Sequence, residues 1–262
     1  MEVKTLKDID VWQDLTEYTP KFWDGFWERG SGFGSGGADP DSRCNLARTY
    51  HRLLWSRTLP NGEKMLLEEG RSRFYLRWKD FYFGSDSITA SFRYYRNQLL
   101  LHQVAESVGD YKGFVENYLR RSYTIGGMII LPSGPPQEGL NCARGFNPRI
   151  KDRWDLTLEC IKMYYENAPK ELNPLRKSIY EAEHTPNQEF FNLFVDFKGF
   201  IEFFFLQDCV DEDCKVIHPI PTTLFETNPV PKDVDTYLSY ISSELDFVRK
   251  RNARIEEYCN GV

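Results

Sequence analysis

Apolar side chains recur at helical spacing along most of the chain. The clearest case is the segment 153–166, where Trp154, Leu158, Ile161 and Tyr165 fall on one face and charged residues occupy the other. This spacing of three and four residues is typical of an amphipathic helix that packs one side against a core. Similar patterns predict further helices at 45–57, 85–108, 186–208 and 233–259, and the pattern at 111–123 fits either a helix or a helix that runs into a strand.

Polar residues mark the predicted starts of two of these helices. Asp152 is a natural N-cap for the first, and Asp155 places a carboxylate in its first turn, where the helix dipole favours negative charge. Farther along, Thr185 is predicted to cap a helix that has Pro186 in its first position. Eight phenylalanines between positions 190 and 205 lie nearly all round that helix, which predicts a central buried element.

Shorter patterns predict strands. Apolar and polar residues alternate between positions 64 and 86, and Met128–Leu131 is an apolar run that ends in a Pro/Gly loop. The fold class expected is therefore α+β, a predominantly α-helical single globular domain over residues 1–262 with a small antiparallel sheet. Two segments have loop composition, a glycine-rich loop at 30–42 and a proline-rich irregular segment at 215–233.

Composition excludes several classes of protein. An aromatic content of 15% argues against a disordered chain, and a net charge of −6 argues against a general nucleic-acid binder. No apolar run is long enough to span a bilayer and no secretory signal is recognisable, so a cytoplasmic location without membrane contact is expected. The cysteines and histidines are scattered without CxxC, HxxxH or HExxH spacing, so no metal site is predicted.

Basic residues are concentrated in one stretch. Residues 120–153 contain six basic side chains and two acidic ones, a local excess of positive charge in an acidic chain. Arginine binds phosphate bidentately, and the start of a helix adds free amides and a favourable dipole. The leading hypothesis is that the chain binds a phosphate-bearing ligand such as a nucleotide or a nucleic-acid end. Whether it also processes that ligand is left open. The predicted ligand-binding residues are Arg121, Tyr123, Asn141, Arg144, Arg149, Lys151 and Arg153.

The same residues have a structural interpretation. The arginines could pair with the surplus acids, and the adjacent Gly126 and Gly127 could serve a tight bend as well as the close approach of a ligand. If the cations bind a ligand, Arg144→Ala and Arg149→Ala should abolish ligand-dependent thermal stabilisation without lowering the melting temperature of the free protein. Loss of stability alone would favour the structural interpretation.

Two alternative functions stay open at the level of the sequence. His51, Ser85 and Asp86 suggest an enzyme of the ADP-ribosyl-transfer kind that uses NAD, although no catalytic glutamate motif can be assigned. Ser85 and Asp86 also fit a strand end followed by a helix cap, which needs no function. Aromatic residues between positions 12 and 27, with the acidic remainder of the chain, suggest a protein-interaction or inhibitor module without catalysis.

Four blocks of the sequence are similar to a known family. They are LPNG at 59–62, SDSI at 85–88, TIGG at 124–127 and ARGFNPRIKDRWDLTLECI at 143–161. Together they resemble a family of uncharacterised bacterial proteins of unknown function, over roughly residues 38–212. The resemblance implies an intracellular protein of bacterial or phage origin. It implies no activity, cofactor or catalytic residue.

Overall fold

The computed structural model describes residues 3–23, 39–70, 75–89, 98–135 and 138–261. Within these residues it confirms the α+β class, with helices as the main component and one small antiparallel sheet. The strands are β1 (Glu68–Glu69), β2 (Leu76–Trp78), β3 (Phe81–Ser87) and β4 (Met128–Pro132). The helices are α1 (Pro40–Arg43), α2 (Asn45–Trp55), α3 (Gln98–Val108), α4 (Tyr111–Ser122), α5 (Leu140–Phe146), α6 (Trp154–Tyr165), α7 (Arg176–Ile179), α8 (Asn187–Asn192), α9 (Phe197–Phe203) and α10 (Val234–Gly261).

The strands pair in chain order, β1-β2-β3-β4, and every pair is antiparallel. All five residues of β4 are buried, which is why its sequence is a continuous apolar run rather than an alternating one. In β3 the inward side chains alternate, and Phe83 packs edge-on against Phe190 of α8 with ring centroids 5.7 Å apart. The sheet thus forms one wall of the core and the phenylalanine-rich segment covers it.

The segment 85–108 does not form the single helix predicted from its periodicity. Ser85, Asp86 and Ser87 are the last residues of β3, because they pair with Ile130, Ile129 and Met128 of β4. The described part of the helix begins at Gln98, and residues 90–97 lie outside the described part of the chain. Cross-strand pairing therefore overrides the helical pattern at the start of this segment.

The predicted long helix at 186–208 is divided into α8 and α9. Val195 has a φ of 71°, which ends the first helix, and Asp196 starts the second by accepting a 2.7 Å hydrogen bond from the N–H of Gly199. Thr185 is also not the cap predicted, since Pro186 occupies the N-cap position of α8. The break lets phenylalanines from two short helices face one core from different directions, as the 5.9 Å Phe191–Phe200 contact illustrates.

Helix α10 is the long C-terminal helix that the periodicity predicted. Its buried Arg251 donates to the carbonyl groups of Gly126 and Met128 at 2.8 Å each, and Asn252 accepts from the N–H of Gly126 at 2.7 Å. A Cβ atom at Gly126 would lie 2.4 Å from Asn252 Oδ1, so this glycine serves the close approach of α10. No helix among the described residues is long and apolar enough to cross a membrane.

Candidate functional site

The basic residue at the centre of the predicted site, Arg144, is fully buried. Its Nη1 atom donates to Asp86 Oδ2 at 2.6 Å and to the carbonyl of Ser87 at 2.8 Å, and Nη2 donates to the carbonyl of Asp152 at 2.7 Å. Nε reaches Thr157 Oγ1 at 3.3 Å. The guanidinium therefore joins the end of β3 to the start of α6 and directs its donors at protein oxygens.

Arg153 is also fully buried and holds the irregular segment 215–233. It forms a bidentate ion pair with Asp155, with distances of 3.0 and 2.5 Å. Its Nη1 atom donates to Thr222 Oγ1 and to the carbonyl of Pro229, both at 2.9 Å. This arginine occupies the N-cap position of α6. Asp152 is therefore not the cap predicted from the sequence.

Arg149 adds a second tie to the same segment. Its Nε atom donates to the carbonyl of Phe225 at 2.8 Å, and the neighbouring carbonyl of Pro148 accepts from the N–H of Asn228 at 2.8 Å. Segment 215–233 contains no helix or regular strand, so side-chain ties of this kind hold it in place. Three of the predicted ligand-binding arginines thus form cross-links within the chain.

The remaining predicted site residues are distributed around this core. Arg121 is exposed at the end of α4, and Lys151 is partly exposed with a φ of 52°. Asn141 accepts a 2.9 Å hydrogen bond from the N–H of Cys142 in the first turn of α5. Tyr123 is buried, and its side chain hydrogen-bonds to the carboxylate of Asp39.

Two carboxylates pair with Arg144 and two more interact with them, and we call Asp39, Asp41, Asp86 and Asp152 the aspartate cluster. Asp86 Oδ2 and Asp152 Oδ1 lie 2.6 and 3.1 Å from the same nitrogen, Arg144 Nη1. The side chain of Tyr123 hydrogen-bonds to Asp39, and the N–H of Ser87 hydrogen-bonds to Asp41. The guanidinium of Arg144 therefore pairs with two of the aspartates, while the charges of Asp39 and Asp41 act on the same group of carboxylates from a third part of the chain.

The protein environment makes these carboxyl groups harder to ionise. Burial raises the pKa of Asp39 to about 6, although its hydrogen bond to Tyr123 acts in the opposite direction. Burial raises the pKa of Asp152 to about 7. The charge of Arg144 acts against this shift, and the charges of Asp86 and Asp39 add to it. The pKa of Asp41 is well above its ordinary value because burial is joined by repulsion from the other members of the cluster. Groups with such shifts are concentrated at functional sites in proteins.

Two oxygens of the aspartate cluster lack hydrogen-bond partners. Oδ1 of Asp39 and Oδ1 of Asp41 are both buried without a donor within reach. A buried carboxylate oxygen normally accepts at least one hydrogen bond, because desolvation without compensation costs free energy, of the order of 1–3 kcal/mol. These two atoms mark the cluster as a place where a donor from a ligand would be accommodated.

The aspartate cluster and its partners bring together residues that the sequence analysis had assigned to different sites. Asp86 belonged to the predicted NAD-using site, whereas Tyr123 and Arg144 were predicted to bind phosphate. Asp39 and Asp41 were missed, because the DPDS motif beside a glycine-rich stretch has the composition of a turn. A signal was available in the sequence: Asp39 precedes Pro40, the N1 residue of α1, which is typical of a helix start.

His51 and Ser85 do form a hydrogen-bonded pair, but the hydrogen bond runs in the direction opposite to the one that catalysis requires. Trp55 Nε1 donates to His51 Nδ1 at 2.9 Å, so a neutral His51 carries its proton on Nε2 and donates it to Ser85 Oγ at 3.0 Å. A histidine that activates a serine must accept from the hydroxyl instead. Burial and the charge of Arg251 lower the pKa of His51 to about 3, which keeps the ring neutral.

A second ionic group lies on the other side of the α6 start. His218 Nδ1 is 2.7 Å from Asp155 Oδ2, and His218 Nε2 is 3.3 Å from Glu159 Oε1. Hydrogen bonds to the two carboxylates raise the pKa of His218 to about 9, so the imidazolium helps Arg153 to hold segment 215–233. Among the described residues, no group of three or more His, Cys, Asp or Glu side chains has the arrangement needed to hold a metal ion.

Comparison with known proteins identifies a family without an assigned activity. A sequence model described as a family of unknown function (DUF6994) matches residues 9–255, so the chain belongs to that family. The match is wider than the resemblance over residues 38–212 that the four blocks suggested, and it takes in most of α10. No curated protein and no solved structure matches the chain.

Proposed function

We propose that this member of the DUF6994 family binds a ligand with a cationic nitrogen group, an ammonium or a guanidinium, in the aspartate cluster. The observation that carries the proposal is the surplus of carboxylate around Arg144, together with the two buried oxygens of Asp39 and Asp41 that have no donor. A cationic nitrogen would supply both the positive charge and the N–H donors that the cluster lacks.

The side chains of the cluster remain accessible to a ligand. Asp86 and Asp152 retain 20% and 34% of their side-chain exposure, while the guanidinium between them has none. Charges on partly buried side chains are screened less than on an open surface, because protein replaces much of the surrounding water. A bound cation would therefore be attracted more strongly here than by isolated surface aspartates.

The contacts give less support to the phosphate-bearing ligand that the sequence suggested. Arg144 and Arg153 direct donors at protein oxygens, and a phosphate beside the aspartate cluster would be repelled by the carboxylates. Arg121, Arg149 and Lys151 are the predicted cations that retain exposure. A phosphate site would depend on these three side chains.

Binding of a cation should be coupled to proton release. With pKa values of about 6 and 7, Asp39 and Asp152 are partly protonated in the range where many proteins work. A nearby cation favours the ionised carboxylate, so it lowers both pKa values and expels protons. Calorimetric titration near pH 6.5 in buffers of different ionisation enthalpy measures this release directly.

The test compares agmatine, which carries a guanidinium and an amine, with inorganic phosphate at equal ionic strength. We expect agmatine to raise the melting temperature and phosphate to leave it unchanged, because only a cation complements the carboxylates. Asp41→Asn should abolish the agmatine effect. The matched control is Asp80→Asn, which neutralises an exposed aspartate in the turn between β2 and β3.

Two results would count against the proposal. If agmatine stabilises wild type and Asp41→Asn equally, the ligand binds elsewhere. If phosphate stabilises the protein and Arg149→Ala removes that effect while Asp41→Asn does not, the phosphate hypothesis is the better one. Asparagine has the shape of the neutral carboxyl group that the raised pKa of Asp41 favours, so loss of binding without loss of stability reports on the ligand contact itself.

A further inference from the structure

A cavity of about 470 Å³ lies beside the first turn of α6. It is bordered by this turn, the middle of α10 and segment 215–233, and its apolar wall includes Ile88, Trp154, Ile217, Tyr240 and Phe247. None of the four cluster aspartates lines it. Its volume falls in the range of small-molecule sites, which is about 300–1,000 Å³.

One polar atom on this wall has no strong acceptor. Trp154 is 4% exposed, and its buried indole Nε1–H meets no oxygen or nitrogen acceptor. Its hydrogen-bonding neighbour is the thiol of Cys209, whose pKa is raised by burial, so that the sulfur stays neutral and accepts only weakly. A buried indole N–H usually donates to a stronger acceptor, so the site favours a ligand that supplies one.

The charges on the wall determine which ligands are excluded. The cavity is lined by four acidic side chains and by the basic side chain of Lys250. Several cations that pair with these acids, such as Arg153 and Arg254, are not among the lining residues. An anion in the cavity would therefore meet more negative than positive charge at short range. The lining acids are Asp155, Asp208, Glu244 and Asp246.

We infer that this cavity is a binding site for a small organic molecule that has an apolar ring-sized body, a hydrogen-bond acceptor for Trp154 Nε1, and a neutral or positive charge. The aromatic faces of Tyr240 and Phe247 offer the body a surface for packing. The site does not depend on the function proposed for the aspartate cluster. Trp154 contacts both sites, since it lines the cavity and its ring centroid lies 5.4 Å from the guanidinium of Arg144.

The test uses three probes that share a phenyl ring and a carbonyl acceptor and differ in charge: phenylalaninamide, 3-phenylpropanamide and 3-phenylpropanoate. Binding is followed by the indole N–H signals of ¹⁵N-labelled protein, which has six tryptophans, with the Trp154 signal identified by its loss in Trp154→Phe. We expect the cationic and neutral amides to shift this signal saturably. The anionic probe should bind on the order of tenfold more weakly because of the acidic wall.

Two variants of α10 localise the binding. Ser243 lines the cavity, so Ser243→Phe fills it and should abolish the Trp154 shift. The matched control Ser239→Phe adds the same ring at an exposed position one helical turn away and should leave the shift unchanged. Asp41→Asn should also leave it unchanged, which separates this site from the aspartate cluster.

Each contrary result overturns the inference. If none of the three probes moves the Trp154 signal, the cavity does not accept a ligand of this class. If 3-phenylpropanoate binds most tightly, the assignment of charge is wrong. If Ser243→Phe binds the amides as well as the Ser239→Phe control does, the shift arises from a site elsewhere on the protein.

Discussion

Asp152→Asn offers a sharp test of the electrostatics of the aspartate cluster. Asp152 forms a 3.1 Å ion pair with Arg144, so simple counting of salt bridges predicts that its neutralisation weakens the fold. The raised pKa predicts the opposite, because burial and the charges of Asp86 and Asp39 outweigh the attraction of Arg144. Asparagine also suits the left-handed backbone at this position, where φ is 63°.

The size of the effect follows from the shift in pKa. The pKa of Asp152 moves from 3.8 to about 7, and each unit corresponds to about 1.4 kcal/mol, which gives an upper limit of about 4 kcal/mol. The side chain is 34% exposed, so solvent screening leaves about 1–2 kcal/mol. Arg144 keeps its ion pair with Asp86 in the variant, and the asparagine oxygen can still accept a hydrogen bond.

The sign of the pH dependence follows from proton binding. The folded state holds the Asp152 proton up to about pH 7, whereas the unfolded chain releases it near pH 4, so ionisation of this group destabilises the fold progressively between those values. The penalty is complete above pH 7 and absent below pH 4. Asp152→Asn should therefore be more stable than wild type by about 1–2 kcal/mol at pH 8, and the difference should disappear by pH 4.

Urea unfolding at pH 8, 6 and 4 measures this difference, with Asp80→Asn as a control for the loss of a surface charge. A variant that is less stable than wild type at pH 8 would refute the reasoning. It would mean that the pair with Arg144 is worth more than the repulsion within the cluster.

Three further outcomes are expected. Arg144→Met should lower the free energy of unfolding at pH 7 by about 3–5 kcal/mol in chemical denaturation, because it leaves buried carboxylates uncompensated. The control Arg149→Met, at an exposed position, should lower it by less than about 1 kcal/mol. Equal losses in the two variants would contradict this expectation. His218→Gln should destabilise the fold most below pH 6.5, and this effect should disappear as the pH rises through about 9, the pKa of His218. A difference in melting temperature that does not depend on pH would count against the ion pairs of His218. NMR of the imidazole nitrogens should show His51 neutral and protonated on Nε2 down to pH 5, and titration near pH 6.5 would refute its assigned environment.

The helices that were predicted well are those whose packing follows their own periodicity. Helix α10 buries one continuous stripe, and the apolar residues of α6 keep the same spacing although the start of that helix is buried on all sides, so spacings of three and four residues suffice to locate both. The predictions for 85–108 and 186–208 failed where distant residues compete for the backbone. Asp86 pairs with Ile129 across the sheet, and Asp196 caps a new helix within the phenylalanine-rich segment.

The candidate site was located better than it was interpreted. The sequence pointed to Arg144 and Tyr123 as residues of one site and to Asp86 as a residue of a different one. It could not show that Asp86, 58 positions away, lies 2.6 Å from the guanidinium. An arginine with free donors attracts anions, whereas one paired with Asp86 and Asp152 beside two further aspartates leaves an acidic site, so the ligand that we propose has the opposite charge.

The sequence by itself determined the α+β class, the long amphipathic helices and the concentration of basic residues before α6, because these depend on composition and on the order of nearby residues. Only the tertiary structure decided which oxygens each arginine meets, which aspartates are enclosed together and where a cavity remains beside Trp154. Those properties depend on distances between residues far apart in the chain. Electrostatic free energies vary steeply with such distances and with burial, and neither can be read from the order of residues alone.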